Sequence, residues 1–220
     1  MSTPASVEAG PPGQPPKDCP LCPRLVGFRN DNREKHPAYF NGAVPNFGET
    51  DAQLLIVGLA PGLHGANKTG RPFTGDYAGE LLYRTLRAQN LAQGDYRASA
   101  DDGFVLIGCA ITNAVRCVPP ENKPLPVEIN TCRKFLVSQI ARMHRLKAVL
   151  ALGRIAHDSV IAALALPKKA YLFSHGAVHR ADNLTIIASY HCSRYNTNTR
   201  VLTEEMFASA VAVAKKAAGL

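Results

Sequence analysis

The sequence predicts an α/β fold, a three-layer α/β/α sandwich around a central, mainly parallel, four-stranded sheet. Short apolar runs alternate along the chain with longer segments whose apolar residues recur at helical spacing, the pattern of strand–helix–strand units. With 220 residues, 46% of them hydrophobic, the chain can bury one substantial core and is short for two domains. In such folds the functional loops gather on one edge of the sheet.

Each predicted element follows from its local pattern. The strands are the apolar runs, and the helices are the segments with apolar residues three or four positions apart. In the first predicted helix, Leu81, Leu82 and Leu86 have this spacing. The predicted strands cover residues 54–58, 104–114, 148–151 and 184–189, and the predicted helices cover residues 76–90, 126–143, 154–165 and 203–218.

The amino-terminal segment differs from the rest of the chain. Residues 1–17 contain five prolines and no apolar periodicity, so we predict a disordered tail followed by a single domain over residues 18–220. No run approaches the roughly 18 apolar residues of a membrane span, and we expect a cytoplasmic protein without a membrane partner. The net charge of +8 favours polyanionic partners such as nucleic acid without deciding for them.

A long loop after the first strand is the most informative segment. Residues 58–76 are rich in glycine and proline, which continue neither a strand nor a helix, so the chain turns repeatedly there. The loop carries an aromatic ring, two cations and a carboxylate, which suit a flat, anionic ligand such as a nucleotide: Phe73, Lys68, Arg71 and Asp76. Asp76 also suits the amino-terminal cap of the helix that follows, and both roles are compatible.

Two further strand ends carry polar side chains. Asn113 ends the second strand, where an asparagine is either a turn residue or a reader of an amide-like edge. The last strand leads into residues 189–200, a segment dense with hydrogen-bond donors that begins near His191. Three neighbours of this histidine suit contacts to phosphate: Ser193, Arg194 and Asn196. The alternative for this segment is a polar surface loop.

The six cysteines favour a metal site over disulfides, which are disfavoured in the cytosol. Cys19 and Cys22 form a Cys-x2-Cys pair, and Cys117 and Cys132 stand farther along the chain, so four thiolates could converge. The second pair lacks the spacing of compact zinc ribbons, and ligands from distant segments also suit a [4Fe–4S] cluster. Spacing alone leaves zinc and iron open, and surface thiols are the alternative for the first pair.

These motifs resemble those of the iron–sulfur branch of the uracil-DNA glycosylase superfamily, and most of all its family 5. The resemblance spans almost the whole chain beyond the tail. It rests on the Gly-Leu-Ala-Pro-Gly and Arg-Pro-Phe-Thr-Gly-Asp runs, the Thr-Asn strand end beside a cysteine, and a histidine-led second motif. This chain has Leu59 and Ala60 where other branches carry an acidic or amide residue, as expected for family 5, and Cys192 where a proline is common.

The resemblance implies an enzyme that hydrolyses the N-glycosidic bond of uracil flipped out of DNA, leaves an abasic site, and accepts other bases such as hypoxanthine. It implies catalytic roles for Asp76 and His191. The implied base-binding residues are Gly58, Phe73, Asn113 and Asn122, and the implied DNA-binding residues are Lys68, Arg71, Ser193, Arg194 and Asn196. The implied cofactor is a structural [4Fe–4S] cluster on Cys19, Cys22, Cys117 and Cys132.

Two other functions are weighed against this one. A non-catalytic, metal-stapled nucleic-acid binding module would need the cysteines and the basic charge but not Asp76. A nucleotide-binding enzyme ranks last, because the first loop has neither a Gly-x-Gly-x-x-Gly nor a Gly-Lys-Ser/Thr run. For the preferred function we expect a monomer that acts on nucleoid-associated DNA of a bacterium or an archaeon.

Overall fold

The computed structural model describes residues 13–220, and residues 1–12 of the predicted tail lie outside this description. In chain order the elements are α1 (Pro23–Lys35), β1 (Phe47–Gly48), β2 (Leu54–Gly58), α2 (Ala66–Thr69), α3 (Tyr77–Ala88), β3 (Ala92–Gln93), β4 (Val105–Leu106), β5 (Cys109–Asn113), α4 (Pro126–Arg142), β6 (Ala148–Leu152), α5 (Arg154–Ala163), β7 (Val178–Ala181), β8 (Leu184–Ser189), α6 (Arg194–Asn198) and α7 (Glu204–Ala218).

A six-stranded sheet with strand order β1-β5-β2-β6-β8-β7 forms the middle layer. Its four central strands are parallel and are the strands that the sequence predicts, so the mainly parallel α/β fold is confirmed. The predicted number of four strands is wrong, because an antiparallel strand is added at each edge. The sequence does not predict β1 because two residues are too few for a recognisable pattern. It does not predict β7 because this strand contains His179 and Arg180 and is partly exposed throughout, as a surface loop would be.

The second predicted strand, residues 104–114, is divided in the structure. β4 pairs with β3 in a separate two-stranded sheet, and β5 begins at Cys109 and joins the main sheet. The division falls at Gly108, whose φ of +63° is a conformation that favours glycine. A side chain on this glycine would also meet Leu220, because an added Cβ would lie 2.5 Å from it.

Apolar cores cover both faces of the sheet. Along β2, Leu54 and Ile56 belong to one core, and Leu55 and Val57 belong to the other, as the two-residue period of a strand requires. Helices complete both cores: the first contains Leu82 of α3 and Phe207 of α7, and the second contains Leu136 of α4 and Val160 of α5. This arrangement confirms the three-layer sandwich.

The amino-terminal part of the described chain packs on the domain. The last five residues of the predicted tail depart from that prediction, because Pro15 is buried and the Gln14 side chain accepts a hydrogen bond from the Asn46 backbone at 2.7 Å. α1 is not predicted from the sequence, because Leu25 is its single buried apolar residue and the helix has no apolar stripe. Within residues 13–220, no helix has both the length and the apolar character needed to cross a bilayer.

Candidate active site

The carboxyl ends of the four central strands lie along one edge of the sheet. Gly58 at the end of β2 is paired with Asn113 at the end of β5, and the end of β8 leads into the segment with His191. A cavity of about 580 Å³ opens there. It is lined by Leu59, Ala60, Pro61, Gly62, Ala66, Phe73, Asp76, Tyr77, Ala78, Asn113, Asn122, His191, Ser193 and Arg194.

Phe73 and Gly58 shape one wall of the cavity. Phe73 is 7% exposed, and its ring stacks on the imidazole of His191 with 5.9 Å between centroids and 26° between planes. An added Cβ on Gly58 would lie 2.5 Å from the Phe73 ring and would also collide with Oδ1 of Asn113. Glycine at this strand end therefore lets the ring and the amide approach each other. Gly58 contributes by its lack of a side chain, and the other three predicted base-binding residues line the cavity.

The Asn113 side chain offers an unused amide to the cavity. The residue is 3% exposed, and no hydrogen bond joins its side-chain amide to any other residue of the described chain. A free amide presents two donor hydrogens and one acceptor oxygen, which suits the recognition of an imide edge. Asn122, also predicted to bind the base, lies at the exposed rim with a φ of +57°.

The two carboxylate oxygens of Asp76 face different groups. Oδ1 accepts a hydrogen bond of 2.9 Å from the Gly79 backbone and so caps α3. Oδ2 faces the turn between Gly62 and Gly65, where added Cβ atoms would lie 3.3 Å and 2.6 Å from it. The predicted capping role is present, and the second oxygen is left for a role in the cavity.

The surroundings of His191 favour the neutral form of its imidazole. Burial lowers its pKa below the ordinary value, and the negative charge of Asp76 only partly opposes this shift. Its backbone oxygen accepts a hydrogen bond of 2.8 Å from the Asn196 side chain. The next residue, Cys192, directs its thiol to the Ala78 carbonyl at 3.4 Å, which ties the second loop to the start of α3. The neutral ring retains one N–H to donate.

The predicted phosphate-contacting residues of the second loop have separate places. Ser193 lines the cavity and caps α6, accepting from the Asn196 backbone at 3.4 Å. Arg194 is exposed, and its guanidinium lies 5.3 Å from the ring of Tyr77. Asn196 is turned to the backbone of His191. Tyr77 was missed in the sequence analysis, although its position directly after Asp76 places it at the same helix start.

Arg71 is not at the surface, and its predicted DNA contact is wrong. Its guanidinium is 4% exposed and donates two hydrogen bonds, of 2.7 and 2.8 Å, to the Asp102 carboxylate. A third bond of 2.8 Å joins Arg71 Nε to Thr74 Oγ1. Burying a cation requires an anionic partner, and Asp102 supplies it. Arg71 therefore holds the loop that carries Phe73.

The other cation of the first loop, Lys68, stays exposed. Its Nζ lies 5.7 Å from the ring centroid of Tyr39, which also hydrogen-bonds His64 Nδ1 at 3.1 Å. His36 stacks on the same tyrosine ring at 4.6 Å. Lys68 is absent from the cavity wall but belongs to this basic and aromatic surface beside the first loop.

The four predicted metal ligands meet at one place. Cys19, Cys22, Cys117 and Cys132 line a narrow cavity with about 20 Å³ of free volume between α1, α4 and the segment after β5. All six cysteines are free thiols. Burial raises the pKa of Cys117 to about 12 and that of Cys132 to about 11, although the positive charges of Arg29 and Arg116 oppose these shifts.

This donor set fits an iron–sulfur cluster. Within residues 13–220, no group of three or more His, Cys, Asp or Glu side chains is arranged to hold a metal ion. The thiols instead stand around the wall of the cavity, and four thiolates are the usual ligands of a [4Fe–4S] cluster. The apolar neighbours Leu25, Val115 and Phe135 would keep water from such a group.

Comparison with known proteins shows the class to which a chain with this fold and this strand-end cavity belongs. Residues 45–215 match the family described as the uracil DNA glycosylase superfamily, and the chain belongs to this superfamily. It is 42% identical over 208 residues to the Type-5 uracil-DNA glycosylase of Thermus thermophilus. The aligned region covers 92% of this chain and 94% of that protein.

Two proteins of one archaeon, Pyrobaculum aerophilum, show where the chain falls within the superfamily. Its Type-5 uracil-DNA glycosylase is 38% identical to this chain, in an alignment that covers 92% of this chain and 90% of that protein. Its Type-4 uracil-DNA glycosylase is 35% identical over 66% of this chain and 60% of that protein. The resemblance to family 5 that the motifs indicate is confirmed.

Proposed function

We propose that this chain hydrolyses the N-glycosidic bond of uracil in DNA and leaves an abasic site. One observation carries the proposal: a single cavity brings together the Phe73 ring, the Asn113 amide, the Asp76 carboxylate and the His191 imidazole. Its volume of about 580 Å³ lies within the usual range of small-molecule sites. The family and the names of the relatives support the same activity.

Recognition of the base follows from Phe73 and Asn113. The enzyme would accept the nucleotide after it has rotated out of the helix, at a cost of about a few kcal/mol of unstacking. The base stacks on Phe73, and the Asn113 amide accepts from the N3–H of uracil and donates to the adjacent carbonyl. Cytosine has an acceptor at N3 and a donor amine at C4, so its reversed pattern leaves buried polar groups unpaired.

Cleavage follows from His191 and Asp76. The C1′–N1 bond breaks with its electron pair on the base, so a uracil anion and a sugar cation develop. His191 donates its N–H to the base oxygen that gains negative charge. Asp76 orients a water molecule toward C1′ and takes its proton as the C–O bond forms, and its charge stabilises the cationic sugar.

The direct test uses a duplex with a single uracil. We expect alkali-labile abasic sites at the uracil and none in a matched duplex with thymine. Binding to the uracil duplex without release of the base would overturn the activity and favour the non-catalytic binding module. We propose that the active species is a monomer in the cytoplasm, where nucleoid DNA lies, and sedimentation of the DNA complex tests its stoichiometry.

The enzyme should also release hypoxanthine. Leu59 and Ala60 line the cavity at the position where other branches carry a polar group, so discrimination there is weak. Hypoxanthine presents an N–H beside a carbonyl, the same pattern that Asn113 reads in uracil. A panel of duplexes with single lesions tests this, and strict selectivity for uracil would contradict it.

We propose that Cys19, Cys22, Cys117 and Cys132 hold a [4Fe–4S] cluster. When bound, the cluster supplies a structural link between the start of α1, the segment after β5, and α4. Iron and acid-labile sulfide in the protein purified without oxygen would support this assignment. Stoichiometric zinc in their place would contradict it.

Replacing Lys68 with alanine tests the surface beside the first loop. Because a lysine that contacts phosphate adds about one released counterion, the slope of log K against log salt should fall by about one. Single-turnover excision at saturating DNA should not change. Lys216→Ala is the matched control, since Lys216 is exposed near the carboxyl end of α7. An unchanged salt slope in Lys68→Ala would remove Lys68 from the DNA contact.

Replacing His191 with alanine tests leaving-group stabilisation. Removing one donor to a developing oxyanion costs roughly 10²–10³ in rate, so single-turnover excision should slow by that factor while binding of abasic DNA stays near normal. Equal losses in both measurements would make His191 a docking residue instead.

The pH dependence of His191 provides an independent check. Because burial lowers the pKa of His191, the neutral form of the ring is the major one at the ordinary histidine pKa of about 6.5 and above it. In a plot of the excision rate against pH, the inflection caused by His191 should therefore lie below pH 6.5. This inflection should be missing in His191→Ala. An inflection at or above 6.5 that is lost in the variant would contradict the neutral-donor role.

Replacing Gly58 with alanine tests the contact between Phe73 and Asn113. The new methyl group would displace the ring, the amide, or both, and a misplacement of about 1 Å can cost about 10²-fold in rate. We expect such a loss of excision in a folded protein. Gly27→Ala is the control, because nothing lies within 4 Å of its added Cβ in α1. Full activity in Gly58→Ala would show that the close packing at this strand end is not needed.

A further inference from the structure

Two buried arginines beside the cysteine cavity have N–H groups without a hydrogen-bond partner in residues 13–220. Arg116 is 1% exposed and its Nη2 has no partner, and Arg29 is 4% exposed and its Nε has none. A buried polar group without a partner destabilises the fold, and a charged one does so more strongly. These atoms are suited to an acceptor that the protein residues around them do not supply.

Both side chains approach the four cysteines. Arg116 lines the cavity directly, next to Cys117 in the chain. Arg29 reaches it from α1, where its Nη1 donates to the Cys19 carbonyl at 3.1 Å. Arg29 is close enough to interact electrostatically with Cys117, and Arg116 is close enough to interact with Cys117 and Cys132.

No carboxylate forms a close ion pair with either arginine within the described residues. Arg116 forms no salt bridge within the described residues, and its Nη1 donates a long bond of 3.5 Å to the Val44 carbonyl. Asp18 Oδ1 lies 3.9 Å from Arg29 Nε, beyond hydrogen-bond distance, and makes its close pair with Arg33. One buried positive charge, Arg116, therefore lines the cysteine cavity, and a second, Arg29, lies beside it without a close ion pair.

We propose that Arg116 and Arg29 neutralise the [4Fe–4S] cluster, retain it in the protein and raise its reduction potential. The inference rests on the proposed cofactor and assigns two residues that are not its ligands. Four thiolates outweigh the positive charge of the iron–sulfide core, so the assembly is anionic, and charge and hydrogen bonds to the sulfurs tune such clusters. A fixed cation favours the more negative, reduced state, which raises the potential.

The test compares holoproteins purified without oxygen. The variants are Arg116→Gln and Arg29→Gln, which lose the charge, Arg116→Lys, which keeps it, and Lys35→Gln as a control, because Lys35 is exposed on the same helix as Arg29. The measurements are iron and sulfide per chain, the rate of iron loss to a ferrous chelator, and the reduction potential. Loss of an outer-shell partner of a metal site costs about 10–100-fold in affinity.

We expect Arg116→Gln to lose iron about tenfold faster than the wild type or more, and its potential to become more negative. Arg29→Gln should change both quantities in the same direction, while Arg116→Lys and Lys35→Gln should keep potentials near that of the wild type. A purely structural role for Arg116 would not be rescued by lysine and would leave the potential unchanged.

The outcomes separate the two proposals. Iron in the wild type together with unchanged iron loss and potential in both glutamine variants overturns the role of the arginines alone. A wild type that contains zinc, or no iron, overturns the cofactor and this inference together. If Arg116→Gln does not fold, unchanged values in Arg29→Gln overturn the inference, and shifted values support it. Excision of uracil is measured separately and bears only on the catalytic proposal.

Discussion

Asp76→Asn should slow the excision of uracil by roughly 10²–10⁴-fold while leaving the fold and the affinity for DNA intact. The two oxygens of Asp76 have separate tasks, and the substitution removes only one of them. Oδ1 caps α3 through the Gly79 backbone, and the amide oxygen of asparagine can keep this bond. Oδ2, which faces the turn between Gly62 and Gly65, becomes an NH₂ group that can neither take a proton nor stabilise a cationic sugar.

Single-turnover excision at saturating enzyme measures this effect, with thermal unfolding as the check on the cap. Thr203→Ala is the matched control, since Thr203 caps α7 and is absent from the cavity wall. It should lose about 1 kcal/mol of stability with unchanged chemistry. An Asp76→Asn protein that excises uracil at the wild-type rate would leave Asp76 with the cap as its only role.

The parts of the site that sequence analysis could predict follow from one rule of α/β folds. Parallel strands bring their carboxyl ends to one edge, so polar residues that follow apolar runs meet there. Asn113 ends β5, His191 follows the end of β8 by two residues, and Phe73 lies in the long loop after β2. The structure places all three at one cavity. Their roles in catalysis and base binding stay predictions until the variants are measured.

The parts that sequence analysis missed depend on contacts between distant segments. Arg71 reads as a surface cation in the sequence, because the residue that buries it, Asp102, is 31 positions away. β7 and α1 lack the apolar periodicity of their type, since they are held by a neighbouring strand and by polar contacts. Local pattern identifies the elements of the core, and the polar pairs that anchor the loops require the three-dimensional structure.

Asp102→Asn should destabilise the protein by about 3–5 kcal/mol, the usual cost of removing one partner of a buried ion pair. The Asp102 side chain is fully buried, and both of its oxygens accept from Arg71, at 2.7 and 2.8 Å. They also accept from the backbones of Phe104 and Arg97, at 2.9 and 3.0 Å. Asparagine would leave the Arg71 charge buried without its counterion.

Chemical denaturation at neutral pH measures this loss, and Asp95→Asn is the matched control. Asp95 forms the same kind of pair with Arg87, at 2.8 Å, but both side chains are more than half exposed. An exposed pair contributes about 0–1 kcal/mol, so the control should change little. Equal and small losses in the two variants would contradict a stabilising role for the buried pair.

The stability of the wild type should also depend on acid through this residue. The Arg71 guanidinium holds the pKa of Asp102 well below its usual range. The unfolded chain therefore takes up a proton before the folded one, so the contribution of Asp102 is complete above its ordinary pKa of about 3.9 and is lost as the pH falls below it. Asp102→Asn should lack this part of the acid dependence.

The same pair connects stability with catalysis, because Arg71 stands two residues before Phe73. If the pair only stabilises the fold, the folded fraction of Asp102→Asn excises uracil at the wild-type rate. If it also fixes the ring that stacks on His191, the folded protein is slower as well, since small misplacements in an active site are costly. We expect the second result, and Arg71→Met combined with Asp102→Asn tests it. This double variant buries no unpaired charge, and the asparagine oxygen can still accept from the Phe104 backbone, but the hydrogen bond from Arg71 to Thr74 stays lost. A folded double variant that excises uracil at the wild-type rate would show that the pair only stabilises the fold.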